Sequence, residues 1–253
     1  MAYIDRNGVK VYYEEHGSGP VVLLSHGYAA TSHMWHGQVD FFKDRYKVIV
    51  WDMRGHGRSD SPTDPSQYSE EATVEDMAAI LKECGAAKAV IGGLSLGGYM
   101  SLAFNIYHPE IVEALMLFDT GPGYRSSQAR EQWSQWAFKV ARNYEERGLA
   151  ALGGGAEVRL ARHTSASGLA LAARGMLAQF NSCAIDSLGS ITVPTLVLVG
   201  ANDQAYLNAT EYMAAKIPGS TRVTIDSAGH ASNIDQPAAF NQAMQSFLDD
   251  LRL

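Results

Sequence analysis

The feature that most constrains this chain is Gly93-Leu94-Ser95-Leu96-Gly97, set between an aliphatic run and a helix-forming segment. Ala89-Val90-Ile91 reads as a buried strand, and Leu96 to His108 as a helix closed by Pro109. Passing from strand to helix over so few residues forces the serine into a strained backbone conformation, with its hydroxyl above the sheet. The positions two residues to either side then come too close for side chains, hence Gly93 and Gly97. Gly98 eases the helix against the strand. The competing reading is a glycine-rich turn with an incidental serine; the flanking strand and helix favour a turn that presents a nucleophile.

The rest of the chain supplies a scaffold for such a turn. Val9 to Tyr13 follows the turn dipeptide Asn7-Gly8, which predicts an opening antiparallel pair. Val21 to Leu24, Val48 to Val50, Ala89 to Ile91, Leu115 to Phe118 and Leu196 to Val199 are short aliphatic runs without alternation, as suits strands buried on both faces. Between them lie helical segments such as Thr73 to Glu83, with Val74, Met77, Ile80 and Leu81 at helical spacing. The fold class is therefore α/β: a mostly parallel central sheet flanked by helices. Gly121 to about Asp186 has no strand-like run and reads as a helical cap inserted after the sixth strand, with Gly153-Gly154-Gly155 as a break between its helices. The expected division is 1–120 for the first part of the core, 121–187 for the cap and 188–253 for the second part of the core.

A serine hydroxyl is a weak nucleophile unless a base takes its proton, and that base needs an orienting carboxylate. Leu196 to Val199 leads into Gly200-Ala201-Asn202-Asp203, and Arg222 to Ile225 leads into Asp226-Ser227-Ala228-Gly229-His230. Asp203 and His230 thus sit in loops at the same sheet edge as Ser95, where they can converge. Asp119, ending the strand at Phe118, is the rival acid, with a loop-capping role as its alternative; Asp226 is too close to His230 along the chain. His16, His33, His36, His56, His108 and His163 are expected to be solvated or structural. Negative charge developing on a substrate oxygen needs backbone N–H donors. Leu96 supplies one, directly after the serine. Tyr28 supplies the second, from the loop His26-Gly27-Tyr28 that follows Leu24-Ser25, with His26 bracing that loop.

Composition narrows the alternatives. The formal charge is −7 and no basic run is present, which argues against a nucleic-acid partner. No aliphatic stretch approaches the roughly 20 residues of a membrane span. The two cysteines, Cys84 and Cys183, form no metal-ligand spacing and are expected as buried thiols. Charges in Ala2-Tyr3-Ile4-Asp5-Arg6, after Met1, occupy the place of a signal peptide's apolar region, so the expected compartment is the cytoplasm. No metal and no cofactor is implied, and a homo-oligomer is compatible with the sequence.

These residues together make the chain similar to the α/β-hydrolase superfamily. The resemblance is carried in order by His26-Gly27, Asp52-Met53-Arg54-Gly55-His56-Gly57-Arg58-Ser59, Gly93 to Gly98, Gly200-Ala201-Asn202-Asp203 and Ala228-Gly229-His230. It implies that Asp52 to Ser59 is a structural loop whose Arg54 and Arg58 have structural partners. Ala228 to Asn241, including Ser232-Asn233-Ile234-Asp235-Gln236-Pro237, resembles the 3-oxoadipate enol-lactonases. The oxyanion loop looks more like that of general carboxylesterases. Serine at position 95 speaks against the epoxide hydrolases and haloalkane dehalogenases, which need an aspartate there.

The implied activity is that of a serine esterase or lactonase acting on a small carboxylic ester. A carbon–carbon bond hydrolase of a diketone, an acyltransferase and a ligand receptor on the same scaffold stand as alternatives. Tyr28, Trp133, Trp136, Met176, Leu177 and Phe180 are candidates for an apolar substrate pocket, against the alternative that they pack the core. Arg159, Arg162 and Arg174 are candidates to bind a substrate carboxylate, against the alternative of solvated helix charges.

Overall fold

The computed structural model describes residues 2–251; Met1, at the start of the charged N-terminal stretch, and Arg252 and Leu253 lie outside the described residues. Eight strands form one sheet: β1 (Ala2–Arg6), β2 (Val9–His16), β3 (Val21–Ser25), β4 (Lys47–Trp51), β5 (Ala89–Leu94), β6 (Val112–Phe118), β7 (Thr195–Gly200) and β8 (Thr221–Ile225). Their order is β1-β2-β4-β3-β5-β6-β7-β8. The pairings of β1 with β2 and of β2 with β4 are antiparallel; all later pairings are parallel. The β1–β2 turn has positive φ at both Asn7 (58°) and Gly8 (82°), as the dipeptide requires.

Helices α1 (His36–Phe42), α2 (Glu70–Glu83) and α3 (Leu96–Tyr107) precede or follow the central strands. The start of α2 lies three residues before the predicted Thr73, because the Ser69 side chain caps it by accepting the Ala72 N–H. Between β6 and β7 run α4 (Ser127–Arg147), α5 (Ala156–Leu160), α6 (Ala166–Ala172) with a π-helical turn to Leu177, and α7 (Cys183–Ser187). The chain closes with α8 (Leu207–Lys216), α9 (Ser232–Asp235) and α10 (Pro237–Asp250). One face of the sheet packs residues from α2, α3, α8 and the inserted helices, such as Met77, Phe104, Met213, Ala137 and Leu169. The other packs Val39 and Phe42 of α1 against Phe240, Met244 and Phe247 of α10. Among the described residues no helix is long and apolar enough to cross a membrane. The cysteines differ from expectation: Cys84 caps the surface end of α2 and is half-buried, and Cys183 opens α7 in an exposed position.

Strand order brings the site together. From β3 the chain steps to β4 on one side, then crosses back to β5 on the other, so the carboxyl ends of β3 and β5 flank a topological switch point. Ser25 pairs with Gly93 there. The packing is tight enough that a Cβ on Gly97 would fall 2.1 Å from the Ser25 carbonyl oxygen and 2.8 Å from that of His26. Both obstacles are backbone and cannot rotate away. Gly97→Ala is therefore expected to lose about 3 kcal/mol or more of unfolding free energy. Gly189→Ala, with nothing within 4 Å of the added carbon, should stay within about 0.5 kcal/mol. Urea denaturation of both variants checks the contrast.

Candidate active site

Ser95 has φ 56° and ψ −116°, at the turn between β5 and α3. Positive φ is costly for a residue with a side chain, so this conformation persists only where its surroundings fix it. They do so here on both sides. The Ser95 N–H donates to the Phe118 carbonyl at 3.0 Å, and the Thr120 hydroxyl donates to the Ser95 carbonyl at 2.6 Å. Gly93 is needed because a Cβ there would lie 2.3 Å from the Gly97 carbonyl carbon.

The structure joins Asp203 and His230 directly. His230 Nδ1 and Asp203 Oδ2 are 2.7 Å apart, from the loops after β7 and β8. Burial alone would pull the His230 pKa down. The Asp203 hydrogen bond and the negative charges of Asp203, Asp119 and Glu157 outweigh it and hold the pKa above 6.5. Ser95 Oγ makes no hydrogen bond to His230 among the described residues. Contacts of this kind often close only in the substrate complex.

Tyr28 and Leu96 each present a backbone N–H that meets no acceptor among the described residues. Leu96 is the first residue of α3, so the helix dipole reinforces its donor. Gly27 brings the other loop against the serine: a Cβ on it would sit 3.4 Å from Ser95 Cβ. His26 braces that loop from within, accepting the Met53 N–H on Nε2 (2.9 Å) while Nδ1 donates to the Gly27 carbonyl (2.7 Å). Full burial pushes His26 down to about 4, so the ring is neutral as this bonding requires. The inserted helices brace the same loop from outside. His163 Nε2 donates to the Ala29 carbonyl (2.9 Å), with its Nδ1 accepting the Gly57 N–H (3.1 Å).

The loop from Asp52 to Ser59 is structural. Asp52 accepts the Ser32 and Arg58 N–H groups, and Arg54 forms a buried two-pronged pair with Asp76 at 2.6 and 2.8 Å. Arg58 bonds to Glu14 and to the Tyr12 hydroxyl.

A cavity opens beside the serine, lined by Ser95, Leu96, Tyr99, Thr120, Tyr124, Trp133, Met176, Leu177, Gln179 and Tyr206, with several small residues. Trp133, Met176 and Leu177 thus lie where a pocket role requires, with the Trp133 indole N–H tied to the Leu177 carbonyl at 2.7 Å. Three other candidates do not line it. The Tyr28 hydroxyl turns to the Leu169 carbonyl (2.8 Å), making the ring a strut between core and insertion. Trp136 lies on the outer side of α4, 48% exposed and in tilted contact with Trp133, and Phe180 is 67% exposed. Helical periodicity could not separate the inner from the outer face of the inserted helices. The arginines are also elsewhere: Arg174 forms two 2.9 Å bonds with Glu145, Arg159 reaches the Gly154 carbonyl, and Arg162 reaches the Ala161 carbonyl. Among the described residues, no group of three or more His, Cys, Asp or Glu is placed to hold a metal.

One residue at the site was absent from the sequence reading, and a second was read in other roles. The Tyr206 ring stacks on His230, with centroids 5.1 Å apart and planes 20° apart. Burial pushes its phenol up to about 12, and hydrogen bonding with the Ser95 side chain works against that shift. Its place three residues after Asp203 was the only available signal. Asp119, read as a rival acid or loop cap, proves to be a cross-brace. Oδ1 accepts the Gly200 N–H at 2.8 Å and Oδ2 accepts the Ser232 hydroxyl, so one carboxylate ties together the loops carrying Asp203 and His230.

Residues 20–166 match the family description of the α/β hydrolase fold, and the chain belongs to that family. It is similar to 3-oxoadipate enol-lactonase 2 of Acinetobacter baylyi, 27% identical over 246 residues that cover 90% of this chain and 88% of the relative. It is likewise similar to the pimeloyl-[acyl-carrier protein] methyl ester esterase of Aeromonas hydrophila, 29% identical over 95% of this chain and 100% of the relative. Among solved structures, a thermophilic esterase from Thermogutta terrifontis superposes with a TM-score of 0.82 at 30% identity, covering 100% of this chain and 98% of its own. Family and relatives together support a hydrolase.

Burial pushes Asp119 up to about 7, against its hydrogen bonds from Ser232 and Gly200. Its folded pKa therefore lies above the unfolded value near 3.9. Between those values the folded state binds the extra proton, so this group's stabilisation is complete below about pH 4 and is lost as pH rises through about 7. Asp119→Asn removes that dependence. The Tm of wild type relative to Asp119→Asn should fall between pH 5 and 8 by at least about 2–4 °C, read by parallel thermal melts.

Proposed function

We propose that this chain is a serine hydrolase that cleaves a small carboxylic ester or lactone through an acyl-enzyme. The observation that carries the reading is the 2.7 Å Asp203–His230 pair at the sheet edge where Ser95 is held at positive φ beside two unpaired N–H groups. With substrate bound, Ser95 Oγ attacks the carbonyl carbon as His230 Nε2 takes its proton. The tetrahedral oxyanion accepts hydrogen bonds from the Tyr28 and Leu96 N–H groups. His230 then protonates the leaving alcohol and afterwards activates the water that releases the acid. Asp203 fixes the tautomer that presents Nε2 to the serine. Tyr206 limits the imidazole's rotation from one side. Residues 121–187 act as a cap that shapes the pocket, over a core made of 1–120 and 188–253. The enol-lactonase and esterase relatives support the ester or lactone substrate.

A fluorophosphonate probe should label wild type at Ser95 and leave Ser95→Ala and His230→Ala essentially unlabelled; labelling of Ser95→Ala at the wild-type rate would sink the mechanism. The pH dependence follows from His230, which must be neutral to act as base. Because its pKa is raised, kcat/KM on a neutral 4-nitrophenyl ester should climb with pH through a midpoint above 6.5. Asp203→Asn should lower that midpoint and reduce kcat on the order of 10³–10⁴-fold. A midpoint unchanged by Asp203→Asn would contradict the assigned pairing.

A further inference from the structure

Most of the buried polar atoms lining the cavity have partners. The Tyr99 hydroxyl donates to Glu70 Oε2 at 2.8 Å, the Thr120 hydroxyl to the Ser95 carbonyl, and the Trp133 N–H to the Leu177 carbonyl. Ser95 and Tyr206 face each other at the reacting centre. Gln179 is the exception. Its Oε1 is buried and has no hydrogen-bond partner among the described residues. Its backbone is clamped on both sides by one serine: the Gln179 N–H donates to Ser134 Oγ and the Ser134 hydroxyl donates to the Gln179 carbonyl, each at 3.1 Å. The carboxamide lies against Gly123, where φ is +81° and a Cβ would come 2.9 Å from Oε1. A rigidly mounted, buried acceptor without a donor is costly unless something that enters the cavity supplies one.

Charge points the same way. Among the described residues, the cavity lining includes no Lys, Arg, Asp or Glu. The charges that raise His230 are Asp203, Asp119 and Glu157, all acidic. A carboxylate brought into this space would find no Lys or Arg in the lining, and the charges acting on the neighbouring His230 are acidic rather than basic.

We propose that Gln179 is a specificity-determining residue that reads an uncharged hydrogen-bond donor, a hydroxyl or amide N–H, on the substrate, so that the enzyme takes neutral donor-bearing esters or lactones and discriminates against carboxylate-bearing ones. The inference rests on the serine-hydrolase reading and names the substrate class of that site. A site built to bond a polar group favours substrates that carry it, because its absence leaves the acceptor buried and unpaired.

The test uses 4-nitrophenyl esters that share a leaving group: butyrate, 3-hydroxybutyrate, N-acetylglycinate and the succinate half-ester. Wild type should show a kcat/KM about 10-fold higher for at least one of the two donor-bearing esters than for butyrate, and about 10-fold lower for the half-ester. Gln179→Met, similar in length and without a hydrogen-bonding amide, should abolish the donor preference, bringing kcat/KM for the donor-bearing ester down to about that for butyrate. Equal Tm values would show that the variant is folded; if its Tm falls, Gln179→Leu replaces it. Hydrolysis of butyrate without a donor preference in wild type, or equal losses on all four esters in the variant, overturns the assignment of Gln179. Wild type that hydrolyses none of the four and is not labelled at Ser95 overturns the underlying hydrolase reading as well.

Discussion

The site depends on one strained residue being held from two directions. Ser95 cannot relax because β6 grips its amide through Phe118 and its carbonyl through Thr120, while the Ser25 and His26 carbonyls crowd the turn from β3. The strain is affordable because these contacts belong to the middle of an eight-stranded sheet, where yielding would disturb both core layers. The loops after β3, β5, β7 and β8 then meet at one edge, which no single loop could achieve.

Electrostatics refines what topology assembles. Asp203 and Asp119 serve different ends although both sit near His230. Asp203 meets the imidazole directly. Asp119 spends its two oxygens on the backbone of Gly200 and the hydroxyl of Ser232, and its burial keeps its proton affinity high. One carboxylate orients the imidazole and the other fixes the loops from beneath. The neutral histidines His26 and His163 complete the frame without adding charge to a pocket whose lining, among the described residues, includes no Lys, Arg, Asp or Glu.

Much of this was legible in the sequence because it depends on local rules. The strand–glycine–serine–helix succession announced the turn, and the aliphatic runs marked β3, β4 and β7 within one residue of their observed bounds, and β5 and β6 within three. Asp203 and His230 could be placed because each follows a strand end, a position that survives without knowing any side-chain geometry. The inserted segment was far less readable. Its Trp133 and Trp136 are three residues apart with their rings in tilted contact, yet one lines the cavity and the other faces solvent. That choice is made by how α4 lies against α6 and the core, which periodicity does not encode. Tyr206 and the brace role of Asp119 were missed for the same reason: each is defined by partners far along the chain.

The loop that carries the Tyr28 N–H has one further attachment. Its tyrosine hydroxyl ends on Leu169, and its Ala29 carbonyl is gripped by His163, both within the inserted helices. The segment that supplies one wall of the cavity is thereby also a mechanical support of the loop proposed to stabilise the transition state. On the proposed mechanism, specificity and turnover are not separable modules. An insertion grafted from a relative would replace two of the props under that donor together with the pocket wall, so altered selectivity would arrive coupled to altered rate.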